Sequence, residues 1–337
     1  MNIGNIYNFT SDILIGNNVY YMCESKKVGI TNNLLGIKEN KILKYTNEWL
    51  HLINNAYYPH VINQYQSIVE LYKKINNNKN NHIKIKDKVI PFITSFSYGT
   101  VHGYAGFFCI LFEYLRNKEK YKDYKILVLE NTQNGIKEII NNALNKKIID
   151  KEKIIYIKPD IIYLIDKLLI IPNKYHNIMS TKMDQEIFKY VKKYISPMRN
   201  LQNHKRFNLD ENLDYVCIIK TDSSNNTNSP GSYKHEDLLR FSRNNNVRIL
   251  NPGNIHEIGI MLAINSCKIF ICSWGTAFMK NYCYISEKCK KIIVVINPEK
   301  YLVEYNRQIE GRGLVKKFKN ANIVYKIRNN LDFNFVK

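Results

Sequence analysis

Short apolar segments alternate with amphipathic segments along most of the chain, from about residue 89 onwards. The apolar segments have the length of strands, and the segments between them carry apolar residues at helical spacing. Repeated strand-helix-strand units place their strands side by side in a parallel sheet that is covered by helices. The sequence therefore predicts an α/β fold.

This alternation of predicted strands and helices occurs in two consecutive series. The predicted strands are Val89–Phe96, Tyr124–Leu129, Ile154–Ile157, Ile161–Ile171, Tyr215–Ile219, Val247–Leu250, Lys268–Cys272 and Ile292–Ile296. The predicted helices are Thr100–Lys118, Asn134–Leu144, Asp184–Ser196, His235–Arg243, Ile255–Ile264 and Thr276–Tyr284. A polar linker at 196–212 separates the two series, so we expect two Rossmann-type domains, at 1–200 and 201–337. Residues 1–85 are the least readable, with short strands over Asn17–Met22 and Val28–Leu43.

The chain is strongly basic. Its 337 residues carry 50 Lys and Arg against 29 Asp and Glu, a formal net charge of +21. Such a charge permits nucleic-acid binding, but no run of five basic residues occurs, and a phosphate-bearing small substrate fits equally well. Asn, Lys, Ile and Tyr are all overused, as in AT-rich genomes, which accounts for part of the Lys excess.

The cellular setting follows from segments that the sequence lacks. No basic start followed by an apolar run indicates a signal peptide. The longest apolar stretch, Ile161–Ile171, contains Asp166 and Lys167 and is too short to span a bilayer. The seven Cys form no C-x-x-C pair, so we expect core thiols in a reducing compartment. A cytoplasmic protein without a membrane span is predicted.

The strongest candidate site follows the predicted strand Lys268–Cys272. Ser273, Trp274, Gly275 and Thr276 form a small-residue turn that opens a helix carrying Lys280. Such a turn offers free backbone N–H groups and hydroxyls to a phosphate at the carboxyl end of a strand. The alternative is an ordinary strand-helix turn with Thr276 as the helix cap.

Two further strand ends carry polar residues. Lys220 and Thr221 follow the strand Tyr215–Ile219 and are suited to hold a diphosphate, although the Asn- and Ser-rich continuation is also typical of a solvated loop. Asn251 begins a turn before a helix with Glu257 near its start. A plain turn is the alternative there.

In the first domain, His102 lies in the first turn of a helix, among glycines. An imidazole there is suited to act as a general base, or else is simply solvated. Glu113, about three turns along, is a poorer candidate. The histidines show no metal-binding spacing, and no P-loop, dinucleotide or hydrolase motif occurs, so no metal or cofactor is expected.

The order of these features resembles the family 61 glycosyltransferases. The residues that carry the resemblance are TVHGYAGFFCILFEYLR at 100–116, VCIIKT at 216–221, Asn251–Ile258, and ICSWGTAFMKN at 271–281. The correspondence covers roughly residues 89–297 and rests on order and spacing more than identity. With the AT-rich bias, it suggests a remote member of the kind that large DNA viruses encode.

The resemblance implies a GT-B-like pair of Rossmann-type domains facing a cleft. A nucleotide sugar would bind mainly to the second domain, and the first would face a glycan or glycoprotein acceptor. Transfer would be inverting and independent of metal, so Lys220, Lys280 and the turn at Ser273 would stabilise the leaving diphosphate. His102 would act as base. Trp274 would stack on the nucleotide base or a sugar, or else pack in the core.

Trp274, Thr276 and Lys280 stand where the family pattern has His, Ala and Asn. These departures leave open a second reading, a non-catalytic relative that binds a nucleotide or glycan. A basic nucleic-acid-binding protein is the third reading, and it rests on the net charge alone.

Overall fold

The computed structural model divides the chain into two compact units, Met1–Ser180 and Thr181–Lys337. It describes residues 7–8, 14–23, 34–38, 41–45, 77, 82–93, 101–159, 161–171, 181–209, 213–218, 220–221, 232–233, 235–252, 254–274, 276–296 and 322–327. The division falls earlier than the predicted boundary at 200/201. Residues 181–206, the end of which was interpreted as linker, are largely helical and belong to the C-terminal unit.

The described part of the N-terminal unit holds one sheet and two α-helices. Its strands are β1 (Tyr7–Asn8), β2 (Leu14–Cys23), β3 (Leu34–Lys38), β4 (Lys41–Tyr45), β5 (Ile83–Pro91), β6 (Tyr124–Leu129), β7 (Ile154–Ile157) and β8 (Tyr163–Ile170). Its helices are α1 (Val101–Arg116) and α2 (Asn134–Asn145).

The sheet of the N-terminal unit has the order β1-β4-β3-β2-β8-β5-β6-β7. Strands β8, β5, β6 and β7 run parallel, as predicted. Strands β2, β3 and β4 run antiparallel, and β2 also pairs antiparallel with β8. The expectation of a wholly parallel sheet is therefore wrong for this unit. Short connections such as that from β3 to β4 return the chain beside itself, which makes neighbouring strands antiparallel.

An aromatic layer packs α1 against the residues after β5. Phe92 meets Phe107 and Tyr114 edge to face, with ring centroids 6.1 and 5.5 Å apart. All three side chains are buried. This packing holds the middle and the last turn of α1 against the residue that follows β5.

The C-terminal unit repeats the alternation. Its described strands are β9 (Tyr215–Ile218), β10 (Lys220–Thr221), β11 (Ser232–Tyr233), β12 (Arg248–Ile249), β13 (Ile269–Ser273), β14 (Lys291–Ile296) and β15 (Asn322–Ile327). Its described α-helices are α3 (Thr181–Tyr190), α4 (Leu201–Arg206), α5 (His235–Asn245), α6 (Glu257–Ser266) and α7 (Thr276–Asn281). The described residues also include a π-helical turn at Val191–Ile195 and 3₁₀ turns at Ser196–Met198 and Tyr282–Tyr284.

Five strands form the main sheet of the C-terminal unit, in the order β12-β9-β13-β14-β15, and all pairs are parallel. Numbered along the chain, this order is 2-1-3-4-5, one of the common doubly wound arrangements. Strands β10 and β11 pair separately. The predicted Rossmann-like α/β character is confirmed.

The core of the C-terminal unit is centred on β13, β14 and helix α6. Helix α6 is buried over Glu257–Asn265, on all sides, which explains its nearly continuous apolar sequence. Strand β14 is equally apolar, and Ile292–Val295 are buried. Among the described residues, no helix is long and apolar enough to cross a membrane.

Candidate functional site

The carboxyl ends of β9 and β13 lie side by side. The two strands pair in parallel from Ile269 opposite Tyr215 to Cys272 opposite Ile218. Lys220 and Thr221 follow directly after β9 as strand β10, and Ser273 ends β13. The strand order of the sheet reverses between β9 and β13, and ligands of open α/β sheets bind at this switch point. The structure thus brings the two predicted phosphate-binding segments to one edge.

The turn after β13 is tied to the sheet. The backbone N–H of Trp274 donates to the Val295 carbonyl at 2.8 Å, and the side chain of Ser273 is buried. Gly275 lies outside the described residues. Thr276 begins α7 as its first helical residue. These contacts hold the strand-to-helix turn at the edge where the sequence predicted it.

The indole of Trp274 packs in the core. It is only 4% exposed, and its ring lies 5.6 Å from that of Phe278, which stacks in turn on Tyr282 at 5.4 Å. The sequence left two roles open for Trp274, stacking on a nucleotide base or sugar and packing in the core. In the structure the side chain packs in the core. The tryptophan therefore supports the turn from beneath.

Glu257 and Lys280, both predicted to contact the donor, contact each other. Glu257 is the first residue of α6, and Lys280 lies in the last turn of α7. The Lys280 ammonium is 2.6 Å from Glu257 Oε2, with side-chain exposures of 11% and 4%. A charge-assisted hydrogen bond of this length in a dry setting fixes the two helices relative to each other. The charge of Lys280 is thus directed at Glu257.

Tyr284, which is not among the residues predicted from the sequence, completes this cluster. Its hydroxyl donates to Glu257 Oε1 at 3.4 Å, so each carboxylate oxygen accepts a bond. Lys280 lies in the last turn of α7 and Tyr284 in the 3₁₀ turn that follows it. No sequence pattern signalled this contact, because Glu257 is distant along the chain and the α-helical spacing ends at Asn281.

A buried amide extends the polar contacts from this cluster. Asn265 donates from Nδ2 to the Tyr284 carbonyl at 2.8 Å, and its Oδ1 accepts from the Ser196 hydroxyl at 2.9 Å. Asn265 lies at the far end of α6 from Glu257. Both ends of α6 are therefore held by side chains that reach the segment around Tyr284.

The residues after β12 form an exposed turn. Asn251 is exposed, and its carbonyl accepts from the Asn254 N–H at 2.9 Å. His256 then caps α6, because its Nδ1 accepts from the Ile258 N–H at 3.2 Å. An accepting Nδ1 leaves the proton of a neutral imidazole on Nε2. The backbone at Asn251 forms a plain turn, which was the alternative to a binding role. The cap at His256 was not predicted, because Ser, Thr, Asp and Asn are the usual helix caps.

The predicted linker supplies an aromatic contact to this turn. Phe207 packs against the His256 ring with centroids 5.2 Å apart, and the Arg206 guanidinium lies 5.4 Å from the Phe207 ring. Gly259 allows the approach, because a Cβ there would lie 3.1 Å from Phe207 Cβ. The Arg206 cation therefore lies close to the start of α6. It was not predicted from the sequence, because residues 196–212 were interpreted as a linker.

His102 is the second residue of α1, in the first turn as predicted. Its side chain lies outside the described residues. Glu113, the weaker base candidate, is engaged locally: its Oε1 accepts from Asn117 Nδ2 at 2.9 Å, and its Oε2 is 3.6 Å from Arg116. Both carboxylate oxygens of Glu113 are therefore engaged by its own helix and the residue that follows it.

One buried acceptor in α7 has no partner in the described structure. Asn281 donates from Nδ2 to the Ala277 carbonyl at 2.7 Å, while its Oδ1 is buried without a hydrogen bond.

Within the described ranges, no group of three or more His, Cys, Asp or Glu is placed to hold a metal ion. No protein-family model matches this chain, and no curated protein matches it.

Proposed function

We propose that the chain is a glycosyltransferase that moves a sugar from a nucleotide-sugar donor to a hydroxyl acceptor. One observation carries this proposal: the carboxyl ends of β9 and β13 lie side by side at the switch point of a parallel sheet with 2-1-3-4-5 order. Lys220 and Thr221 follow the first strand, and Ser273 ends the second. This is the edge at which such sheets bind nucleotides and phosphates.

The chemistry of glycosyl transfer suits these residues. The leaving nucleoside diphosphate gains negative charge as the bond to the sugar breaks, and that charge must be stabilised. Lys220 would supply a cation, and the Ser273 hydroxyl and the backbone after β13 would supply hydrogen bonds. Lys280 takes a supporting role, because it is paired with Glu257 and holds α7 in position.

The acceptor hydroxyl must lose a proton as it attacks the anomeric carbon. His102 is proposed as the base, since it lies in the first turn of α1, the helix that follows β5 along the chain. The strand order of the N-terminal sheet also reverses at β5, between β6 and β8. The same proposal includes a GT-B-like arrangement facing a cleft, inverting stereochemistry and independence of metal. It also includes a glycan or glycoprotein acceptor and a cytoplasmic location.

A second candidate is a relative that binds a nucleotide sugar without transferring it. The buried pair of Lys280 and Glu257 favours this reading, because two charges expected at the donor neutralise each other. Binding and turnover distinguish the two candidates. A transferase releases nucleotide in the presence of an acceptor, and a binding protein does not.

The first experiment is a thermal-shift screen of the full chain against nucleotide sugars and free nucleotides, with EDTA throughout. At a ligand concentration of 100 Kd, binding adds about 2.7 kcal/mol to the free energy of unfolding, which raises the Tm by several degrees. We expect one donor to do so, and Lys220→Ala to weaken its binding by roughly tenfold or more.

The matched control is Lys268→Ala. Lys268 precedes β13, at the opposite edge of the same sheet, so the substitution makes the same charge change away from the site. Equal loss of binding in both variants would assign the effect to net charge and contradict the proposal. The absence of any shift with every nucleotide, beside salt-sensitive retention on DNA, would favour nucleic-acid binding instead.

A further inference from the structure

Residues 187–209 of the C-terminal unit form a basic stretch without acidic residues. Its basic residues are Lys189, Lys192, Lys193, Arg199, Lys205 and Arg206. The stretch thus holds six of the 50 Lys and Arg of the chain and none of its 29 Asp and Glu. The positive charge of the chain is therefore not spread evenly along it.

The first part of the basic stretch is an amphipathic helical segment. Tyr190 and Ile195 are both buried, because the π-helical turn at Val191–Ile195 brings residues five apart onto one face. Lys192 and Lys193 lie between them in the sequence and are exposed. The inner face of this turn is therefore apolar, and its outer face is cationic.

The second part of the basic stretch follows helix α6 along its length. The Ser196 hydroxyl donates to Asn265 near the end of α6, and Phe207 packs on His256 at the start of α6. Helix α6 has 10 residues and is therefore about 15 Å long. Lys205, near Phe207 along the chain, is exposed. The basic stretch thus presents cations over a length of about 15 Å or more.

The charges of these lysines are directed at solvent. Glu186 pairs with Lys189 at 3.3 Å, and the other described ion pairs of this unit involve lysines outside the basic stretch. Within the described part of the chain, no carboxylate pairs with Lys192, Lys193 or Lys205. Such a surface attracts an anionic partner.

Leu201 favours an anionic membrane over a nucleic acid as that partner. It is 47% exposed at the start of α4, inside the basic stretch. An apolar side chain among cations gains free energy when it enters the headgroup region of a bilayer. The aromatic rings nearby are already covered, since Lys193 lies 5.1 Å from the Tyr194 ring and Arg206 lies 5.4 Å from the Phe207 ring. Covered rings do not serve as platforms for stacked bases.

We propose that the basic stretch binds the surface of a membrane that contains an anionic lipid such as phosphatidylserine. Lys192, Lys193, Lys205 and Arg206 contact the lipid headgroups, and Leu201 lies among them. Clusters of about four to eight Lys and Arg on an amphipathic helix are typical of such surfaces. The proposal is independent of nucleotide-sugar binding, which is assigned to the carboxyl ends of β9 and β13.

Vesicle binding of the full chain tests the proposal directly. The chain is mixed with sucrose-loaded vesicles of phosphatidylcholine alone or with about one third phosphatidylserine, and bound protein is measured after sedimentation. At about 0.1 M salt we expect binding only to the vesicles that contain phosphatidylserine, and at about 0.5 M salt most of this binding should be lost. Equal binding to both kinds of vesicle, or binding to neither, would overturn the proposal.

Lysine labelling of the wild-type chain locates the contact without any substitution. The chain is acetylated with and without the anionic vesicles, and the labelled peptides are quantified by mass spectrometry. We expect the vesicles to protect Lys192, Lys193 and Lys205, while Lys146 and Lys147 of the N-terminal unit, which are exposed, stay equally labelled. Protection of the second group without the first would place the contact elsewhere and contradict the proposal.

Charge removal gives the size of the effect. Lys192→Gln with Lys193→Gln should weaken binding to the anionic vesicles by roughly tenfold or more, since each cation near such a surface contributes about the same free energy. The matched control is Lys146→Gln with Lys147→Gln, which removes two adjacent exposed lysines from the N-terminal unit. An equal loss in both double variants would assign binding to the net charge of the chain. The thermal shift caused by nucleotide sugars should be unchanged in both variants, so the two proposals fail separately.

Leu201→Gln separates a membrane from a nucleic acid. It should weaken vesicle binding by roughly threefold or more, because the apolar contact with the bilayer is lost, and leave retention on duplex DNA unchanged. Retention on DNA that is lost in Lys192→Gln with Lys193→Gln, without vesicle binding by the wild-type chain, would assign the basic stretch to nucleic acid and overturn the proposal.

Discussion

The C-terminal unit contains two Lys–carboxylate pairs of the same length in different surroundings. Lys280 lies 2.6 Å from Glu257, and Lys268 lies 2.6 Å from Asp214. The first pair joins two helices, with side-chain exposures of 11% and 4%. The second lies on the surface before β13, with exposures of 62% and 42%. The two pairs therefore have the same N–O distance and differ in how far their side chains are buried.

Burial decides what each pair contributes. At the surface, water and salt screen the charges, and holding two long side chains in place costs entropy. In the interior the same attraction is strong, but it must offset the loss of hydration of both ions. Removing one partner of the buried pair leaves a charge with neither water nor counter-ion. The two pairs should therefore respond to mutation very differently.

The largest effect is expected from Glu257→Gln. This change keeps the shape of the side chain and leaves the Lys280 ammonium without its counter-charge. We expect a loss of about 3 kcal/mol in the free energy of unfolding, at the lower end of the range for buried pairs because Lys280 keeps some exposure. Urea unfolding measures it. Asp214→Asn is the matched control, and an equal response to both substitutions would mean that burial does not separate the pairs.

The double variant Glu257→Leu with Lys280→Met should be less destabilised than Glu257→Gln. It removes both charges and replaces them with apolar groups of similar size, so no ion is left buried alone. A double-mutant cycle with the single variants should give a favourable coupling energy of about 1–3 kcal/mol. Additive losses would show that the two side chains act independently.

Tyr284→Phe should have a smaller effect. It removes one hydroxyl, whose bond to Glu257 Oε1 is long at 3.4 Å, and leaves the aromatic packing in place. We expect a loss of about 1 kcal/mol, since Lys280 still pairs with the carboxylate. The midpoint of urea unfolding should decrease with an unchanged slope. A loss as large as that of Glu257→Gln would make Tyr284 the main partner of the carboxylate.

The smallest effect is expected from Lys268→Ala, which should shift the Tm by less than about 2 °C. Asp214 raises the pKa of Lys268 through a hydrogen bond and its charge. A raised lysine pKa stabilises the fold below the unfolded value of 10.5, and that contribution is lost as pH rises through the folded-state value. The wild-type and Lys268→Ala chains should therefore converge in Tm above that pH and in high salt.

Much of the fold could be predicted from the sequence where local pattern decides structure. Strands β6 and β7 have the predicted bounds, Tyr124–Leu129 and Ile154–Ile157, because both are short, apolar and bounded by polar turns. Strand β5 was predicted over Val89–Phe96 but runs over Ile83–Pro91. The first half of β5 alternates Ile with Lys and is partly exposed. A prediction based on hydrophobicity alone therefore placed the start of the strand too late.

Strand direction and side-chain pairing could not be predicted in the same way. The sequence pattern of β2 does not indicate that β2 pairs antiparallel with β8. The direction of pairing depends on which distant strand becomes its neighbour. The predicted donor-binding list contained Glu257 and Lys280 without indicating that they pair. The sequence indicated two separate strand ends as candidates, and the structure pairs β9 with β13 in parallel, so their carboxyl ends lie at one edge.

Strand β15 has a consequence for how the chain can be shortened. It pairs with β14 at six positions, from Lys291 opposite Asn322 to Ile296 opposite Ile327. Strand β14 is almost wholly apolar, and without β15 its outer backbone N–H and carbonyl groups would be unpaired. An apolar strand with a free edge is a template for pairing with a strand of another molecule. Truncation before Asn322 should therefore turn the molecule into an aggregating one, however intact the rest of its fold.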